Sequence, residues 1–496
     1  MSEPPQLGVE TLQRDASALF SFVDSVCSYC YGDRESPAYL QPSLDFFDYI
    51  RRLGDATKAY LNTFPAKAPR DKRLYQGYRQ KLETLRYGWF DFHQFIKPAV
   101  DADTLNVPYT LIEAFTRRLN QIRGFENTSF AIFHFGELNY LEVPIGEIKK
   151  KTDRLKRVIP DPPVFPDNLG LIGIPYSQSS ALYLNCLIAH EMGHFVFEKL
   201  NLKERLLPEI QKNLEAVLGS QLDSVPADNL DWCKDRLASW AEEIFCDLFA
   251  VWLIGPCYAL TYIEIFGLTT ILNPADASGF SVTAGSTIFN RSHPADLFRV
   301  KQQVSLLQSL GWWGEVEGIR SHYVSVLRSA MAVDEALFEF QTTEQSYPNE
   351  TLNSFLKLAP FISKLLSEMM KETNGNPLDS GVNGYKRFGD LIGEYLVRAV
   401  VPSTVFNGTD HFYPDTVTLL NASMRFYLES LEDLMNRLKG QKTLLAGHRS
   451  RWIKRLESLT GKALEDHYVL VGEKGAIQRD GVFKRADRGS IESTDN

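Results

Sequence analysis

Residues 187–200, LIAHEMGHFVFEKL, constrain the fold of this chain more than any other stretch. Apolar residues sit on both sides of the polar ones, and Leu184, Leu187, Ile188, Phe195 and Val196 are available to bury the segment as a helix. His190 and His194 are four residues apart, so on a helix they lie one turn above each other on one face. Glu191 falls about 100° round from His190, beside the pair rather than in line with it. Gly193 removes a side chain next to the pair and lets the backbone of another element come close.

The pattern H-E-x-x-H has a chemical reading. Two imidazoles on one helix face can bind one zinc ion, and a glutamate beside them can accept a proton from a zinc-bound water. A catalytic zinc usually has three protein ligands and one open position, so one ligand is missing from this helix. The segment SWAEEIFCDLFAVW, residues 239–252, supplies a candidate. Glu243 and Asp247 are four apart on a strongly apolar helix with Trp240, Ile244, Phe245, Leu248 and Trp252 around them. Carboxylates there are costly to bury unless they are paired or bound to a metal. Glu243 is the expected third ligand, and Asp247, one turn on, the expected acceptor for the free N–H of a ligand histidine. Glu242 is the rival ligand, but it lies about 100° off the face that Glu243 and Asp247 share.

HExxH followed by a helix carrying E-x-x-x-D resembles the gluzincin metallopeptidases. The closer resemblance is to the HtpX and CAAX-prenyl-endopeptidase type, in which the glutamate helix is followed by a His-Pro segment and an arginine six residues after that histidine. Here that is SHPADLFRV, with His293, Pro294 and Arg299, and the glutamate helix fits as ExxCDxxA with Cys246 where alanine is usual. The resemblance covers about residues 170–310. It implies a zincin-like core, one zinc ion, and His293 or Arg299 near the active site, helping to hold the carboxylates or the oxyanion. Family members are often membrane-embedded, and this chain has no convincing spanning helix, so prenyl-protein and membrane-protein substrates do not carry over. A simpler reading of SHPADLFR is a helix start, with Pro294 at the first helical position, Ser292 or His293 capping it and Asp296 in the first turn.

Composition sets the frame. The chain has 496 residues, 44% hydrophobic and 23% charged, as ordinary globular proteins do. Its net charge is −9 and no Lys/Arg block stands out, which argues against nucleic acid as a partner. The most apolar stretch, Leu248 to Ile263, is shorter than a spanning helix needs and is interrupted by Gly255-Pro256, so a buried core helix that stops there is expected and no integral membrane segment. The first residues, MSEPPQLGVETLQRD, lack the basic and apolar regions of a secretory signal. Six cysteines are too few for a disulfide framework, and the lone Cys27-x-x-Cys30 has no second pair to complete a zinc site. A reducing, cytoplasmic setting is the expectation.

The periodicities predict an α+β chain that is predominantly helical, with a small sheet, an active-site helix and a glutamate helix between helical flanks. The expected regions are 1–125 (helical), 126–312 (zincin-like metallopeptidase core), 313–470 (helical) and 471–496 (disordered tail). Two strands are expected within 129–147 and a third at LGLIGI, residues 169–174. A helix is expected from about Ser179 to Leu200, another at 203–219 and a long one from about Leu230 to Ile254. The loop 273–292, rich in Gly, Ser and Thr, is long for a compact domain and reads as a functional segment. His134 could line a cleft or be a satisfied strand histidine, and Tyr176 is a weak candidate oxyanion donor.

The expected function is a zinc-dependent peptidase of gluzincin type, an endopeptidase acting on a protein or peptide substrate. His190, His194 and Glu243 hold the metal, Glu191 activates the zinc-bound water, and His293 and Arg299 assist. An extended substrate would pair with LGLIGI or a strand of 129–147. The alternative is a latent or non-catalytic binding protein on the same scaffold, with the helical flanks as surfaces for a protein partner.

Overall fold

The computed structural model describes residues 7–30, 41–64, 71–104, 109–135, 140–175, 181–219, 227–267, 294, 296–317, 321–332, 360–368, 381–406, 408, 411–428 and 449–479. His293, Tyr176, the loop 273–292 and residues 480–496 lie outside them.

The protein is predominantly helical with a small sheet. Four helices come first: α1 (Leu7–Cys30), α2 (Gln41–Leu61), α3 (Lys72–Thr104) and α4 (Tyr109–Leu119). Strand β1 (Ser129–Phe135) and the short β2 (Leu141–Val143) follow, then α5 (Ile145–Lys156) and β3 (Leu169–Pro175). The sheet order is β1-β3-β2, with β1 parallel and β2 antiparallel to β3. The strand LGLIGI is therefore the middle of the sheet. Both its edges are taken, so it cannot accept a substrate strand, contrary to one of the expectations above. Strand β2 is an outer strand.

Alternation along the strands sorts the core into two layers. Ala131, Phe133, Val143, Leu169 and Leu171 pack with α1, α2, α3 and α5. Phe130, Ile132, Ile172 and Ile174 face the other way, into a large apolar cluster built on the motif helix. Gly170 lies on that second face, where a Cβ would stand 2.5 Å from the Phe130 ring and 3.0 Å from Phe195. Its bare backbone lets these two rings meet edge to face, 5.0 Å apart.

After β3 a 3-10 turn (Leu184–Leu187) leads into α6 (Ile188–Lys199), so the helix proper begins later than its apolar pattern suggests. Then come α7 (Leu202–Leu218), α8 (Ala227–Ile254) and α9 (Pro256–Tyr262). The break between α8 and α9 is Gly255, at φ 70, followed by Pro256 at the start of α9. That combination stops one helix and starts the next. Asn421 bridges it: its amide donates to the Ile254 carbonyl at 2.9 Å and its oxygen accepts from the Cys257 N–H at 2.7 Å.

Asn421 belongs to α13 of a C-terminal group: α10 (Asp296–Ser309), α11 (Ser321–Ala332), α12 (Val382–Val397), α13 (Thr416–Leu428) and α14 (Arg449–Arg479). These helices share one continuous apolar cluster with α6, α8 and α9. The last helix runs to Arg479, past the point where the polar composition suggests a tail. Among the described residues, no helix is long and apolar enough to cross a membrane.

Candidate metal centre

Helices α6 and α8 cross at Gly193. A Cβ on Gly193 would stand 2.8 Å from the Cys246 Cα and 3.0 Å from its Cβ, closer than any side chain tolerates. The missing side chain therefore sets the helix separation. On α6 His190 lies about one turn before Gly193 and His194 directly after it; on α8 Glu243 lies about one turn before Cys246 and Asp247 directly after it. Around the crossing both helices are apolar nearly all round and buried, with Ile188, Ala189, Met192, Phe195 and Val196 in one cluster with Ile244, Phe245, Leu248 and Phe249. The polar side chains at the crossing pair with each other and with groups brought in from α9 and α10.

They pair in an ordered way. His190 Nε2 lies 3.3 Å from Glu243 Oε2, and His194 Nε2 lies 3.6 Å from Glu243 Oε1. On the far side of each ring the Nδ1 has its own carboxylate. His190 Nδ1 is 3.0 Å from Asp247 Oδ1, and His194 Nδ1 is 2.9 Å from Glu242 Oε1. Glu242, the rival ligand in the sequence, is thus the partner of His194. Each imidazole has an acceptor that fixes its tautomer and aims Nε2 at Glu243.

Asp247 is completely buried and is held from three directions. Arg299 on α10 donates from Nε at 2.6 Å and from Nη2 at 2.7 Å, and Nη2 also lies 3.2 Å from Glu243 Oε2. The Tyr258 hydroxyl, on α9, donates to Asp247 and lies 3.2 Å from His190 Nδ1. Arg299 itself is buried, with its guanidinium 5.0 Å from the Tyr262 ring. Of the two roles implied for Arg299, holding the carboxylates or the oxyanion, its Nε and Nη2 donors take the first, on Asp247 and Glu243. Pro294 is buried beside it in sequence, while His293 lies outside the described residues.

Glu191 is 8% exposed and near enough to His194, Cys246 and Tyr140 for its charge to act on them. The Tyr140 hydroxyl donates to Asn185 at 3.2 Å and brings a phenol to the Glu191 side of the site. Tyr140, Tyr258 and the Glu242–His194 pair carry no spacing signal in the sequence. His134, opposite Ile174 in the sheet, is buried on the α6 face.

The electrostatics follow from this network. Burial alone would raise the Glu243 carboxyl and lower the His190 imidazole. The His190 hydrogen bond and the Arg299 charge outweigh burial at Glu243 and hold it down at about 2. Hydrogen bonds to Asp247 and Glu243 outweigh burial at His190 and hold its proton on up to about 10. Burial and the Glu242, Glu243, Asp247 and Glu191 charges push the Cys246 thiol well above its ordinary range.

The donor set suits a metal ion. A tetrahedral zinc with ligand bonds of about 2.0–2.2 Å holds neighbouring donors about 3.3–3.6 Å apart. The two Nε2–carboxylate separations, 3.3 and 3.6 Å, end on the two different oxygens of Glu243, Oε2 and Oε1. Among the described residues, the group whose donor atoms all lie within 4.8 Å of one another is His190, His194 and Cys246, and Glu243 is not part of it. The Glu243 carboxylate is ionised in place, whereas an ion taking the Cys246 thiol would displace its proton, as it would at His190.

A pH effect follows. In the metal-free protein His190 keeps its proton below about 10, so an ion taking Nε2 must displace it. Zinc binding at neutral pH is expected to release at least one proton per ion, and apparent affinity to rise about tenfold per pH unit between 7 and 9. Calorimetric titration in buffers of different ionisation enthalpy measures this directly, and zinc uptake without proton release would contradict it.

Scans against models of known families, curated proteins and solved structures each gave no match to this chain.

Proposed function

We propose that this protein is a zinc-dependent peptidase of the gluzincin type, hydrolysing peptide bonds in a protein or peptide substrate. The observation that carries the reading is the convergence of two Nε2 atoms on one carboxylate, each ring braced from behind by a second carboxylate. His190, His194 and Glu243 would hold the ion in a zincin-like core made of the sheet, α6 and α8. A zinc ion bound there supplies Lewis acidity, polarising the substrate carbonyl and making a water acidic near neutral pH.

The remaining work falls to the chain's own side chains. Glu191, beside the ligands and not among them, takes the proton of the attacking water and returns it to the leaving amine. Strand β2, with β3 on one side and no strand on the other among the described residues, offers its outer edge to an extended substrate. Arg299 and Tyr258 keep Asp247, and through it His190, in the orientation that presents Nε2.

Metal analysis tests the ligand set. The purified protein is expected to carry about one zinc per chain. Glu243→Ala is expected to weaken zinc binding at least about tenfold, and Cys246→Ala, which removes no charge, to leave it close to wild type. The opposite pattern would make Cys246 the third ligand. A protein that binds no zinc at all would remove the peptidase reading.

A further inference from the structure

Glu142 sits at the middle of β2, directly opposite Ile172 of β3. Cross-strand partners point to the same face of a sheet. Ile172 faces the cluster that contains α6, whereas the flanking Val143 faces the opposite layer. The Glu142 carboxyl is therefore on the face that carries the motif helix, on the strand that has β3 on one side and no strand on the other among the described residues. It is 6% exposed, and its Oε1 has no hydrogen-bond partner among the described residues. The four charges that act on it most are Glu198, Glu191, Glu242 and Glu147, all carboxylates. Burial, reinforced by those four, holds its proton on well above the usual carboxylate range.

Glu142 avoids a buried charge by keeping its proton, and its Oε1 is left without a partner; a cationic ligand brought against it would supply both the partner and the counter-charge. We propose that Glu142 is a specificity determinant that receives the lysine or arginine side chain of an extended substrate paired on the outer edge of β2. A strand added there places one residue directly across from Glu142, with its side chain on the same face and its Cβ about 5 Å away. A long basic side chain at that position reaches Glu142 and the carboxylates behind it. A neutral side chain leaves Glu142 protonated and its Oε1 without a partner, and an acidic one is repelled by the carboxylates behind it. The preference falls at one fixed distance from the bond that Glu191 helps to cleave, because strand register fixes it.

This inference rests on the peptidase reading, and one experiment separates the two. The zinc-loaded full-length protein and its Glu142→Gln, Glu142→Leu and Glu191→Gln variants are incubated with a peptide library retaining Lys and Arg, and cut sites are mapped by mass spectrometry. Wild type is expected to enrich Lys or Arg at one fixed position. A peptide with lysine there is then compared with its norleucine analogue. Glu142→Gln and Glu142→Leu are each expected to lower that kcat/KM ratio about tenfold or more. The isosteric Gln variant, checked for wild-type zinc content, guards against misfolding. Cleavage with the same profile in wild type and both Glu142 variants would overturn the inference while leaving the peptidase reading intact. A second equivalent of zinc that disappears in Glu142→Gln would overturn it in favour of a metal ligand. No cleavage by any form would remove the peptidase reading and this inference with it.

Discussion

Asp247→Ala is expected to destabilise the protein by about 3–5 kcal/mol, the cost of removing one partner from a buried ion pair. Asp247 accepts two hydrogen bonds from Arg299 and one from Tyr258, and fixes Nδ1 of His190. Without it the Arg299 charge remains buried, with Glu243 and the face of Tyr262 as its remaining close partners. The stabilisation has a pH signature. Burial would raise the Asp247 carboxyl, but the Arg299 charge and hydrogen bonds outweigh it and hold it well below the usual range. A carboxyl depressed on folding contributes stability that is complete above its unfolded value, about 4, and is lost as pH falls below that. Thermal unfolding of the metal-free protein at pH 7 and pH 3 is therefore expected to differ far less for Asp247→Ala than for wild type. Zinc affinity is also expected to drop about 10–100-fold, because His190 loses the group that orients it. Removing Arg299 as well relieves the stranded charge, so Asp247→Ala/Arg299→Leu should cost less than the sum of the single changes. Additive costs, or an Asp247→Ala protein as stable as wild type, would show that the pair is not what holds this site together.

The legible part of this site was the part written at helical spacing. His190 and His194 share a face because they are four apart, and so do Glu243 and Asp247. Charges inside apolar helices announced themselves because burial leaves them few alternatives. The strand LGLIGI was legible as a strand for the same reason, but its place in the middle of the sheet was not, since pairing joins residues far apart in the chain. Glu242 shows the limit of the spacing argument. It is off the shared face of α8, yet it reaches His194 because α6 comes in close at Gly193, against the Cys246 backbone. Tyr258 was hidden in the most apolar stretch of the chain. What delivers it to Asp247 is the break at Gly255 and Pro256, pinned by Asn421 from a helix far along the chain. The sequence marks that break as the end of a core helix, and the new direction depends on contacts that no local pattern encodes.

Glu191→Gln is expected to keep zinc and the fold while lowering peptide hydrolysis by about 10²–10⁴-fold, the usual contribution of a positioned base. The two side chains have nearly the same shape, so packing around α6 changes little. Glu191 is not among the groups that converge on the two Nε2 atoms, which are set by Glu243 in front and by Asp247 and Glu242 behind. Its loss should therefore appear in kcat rather than in metal content. Glu242→Gln provides the contrast. That glutamate braces His194, so its loss should weaken zinc binding by about 10–100-fold, and activity should recover as zinc is added. Two glutamates near one site are thus separated by opposite signatures, one in catalysis at full metal occupancy and one in occupancy itself. Single-turnover cleavage of a peptide found in the library, with zinc measured on the same samples, distinguishes them. Hydrolysis by Glu191→Gln at the wild-type rate would mean that another group moves the proton. Loss of zinc from Glu191→Gln would place Glu191 among the ligands and return the third position to contest.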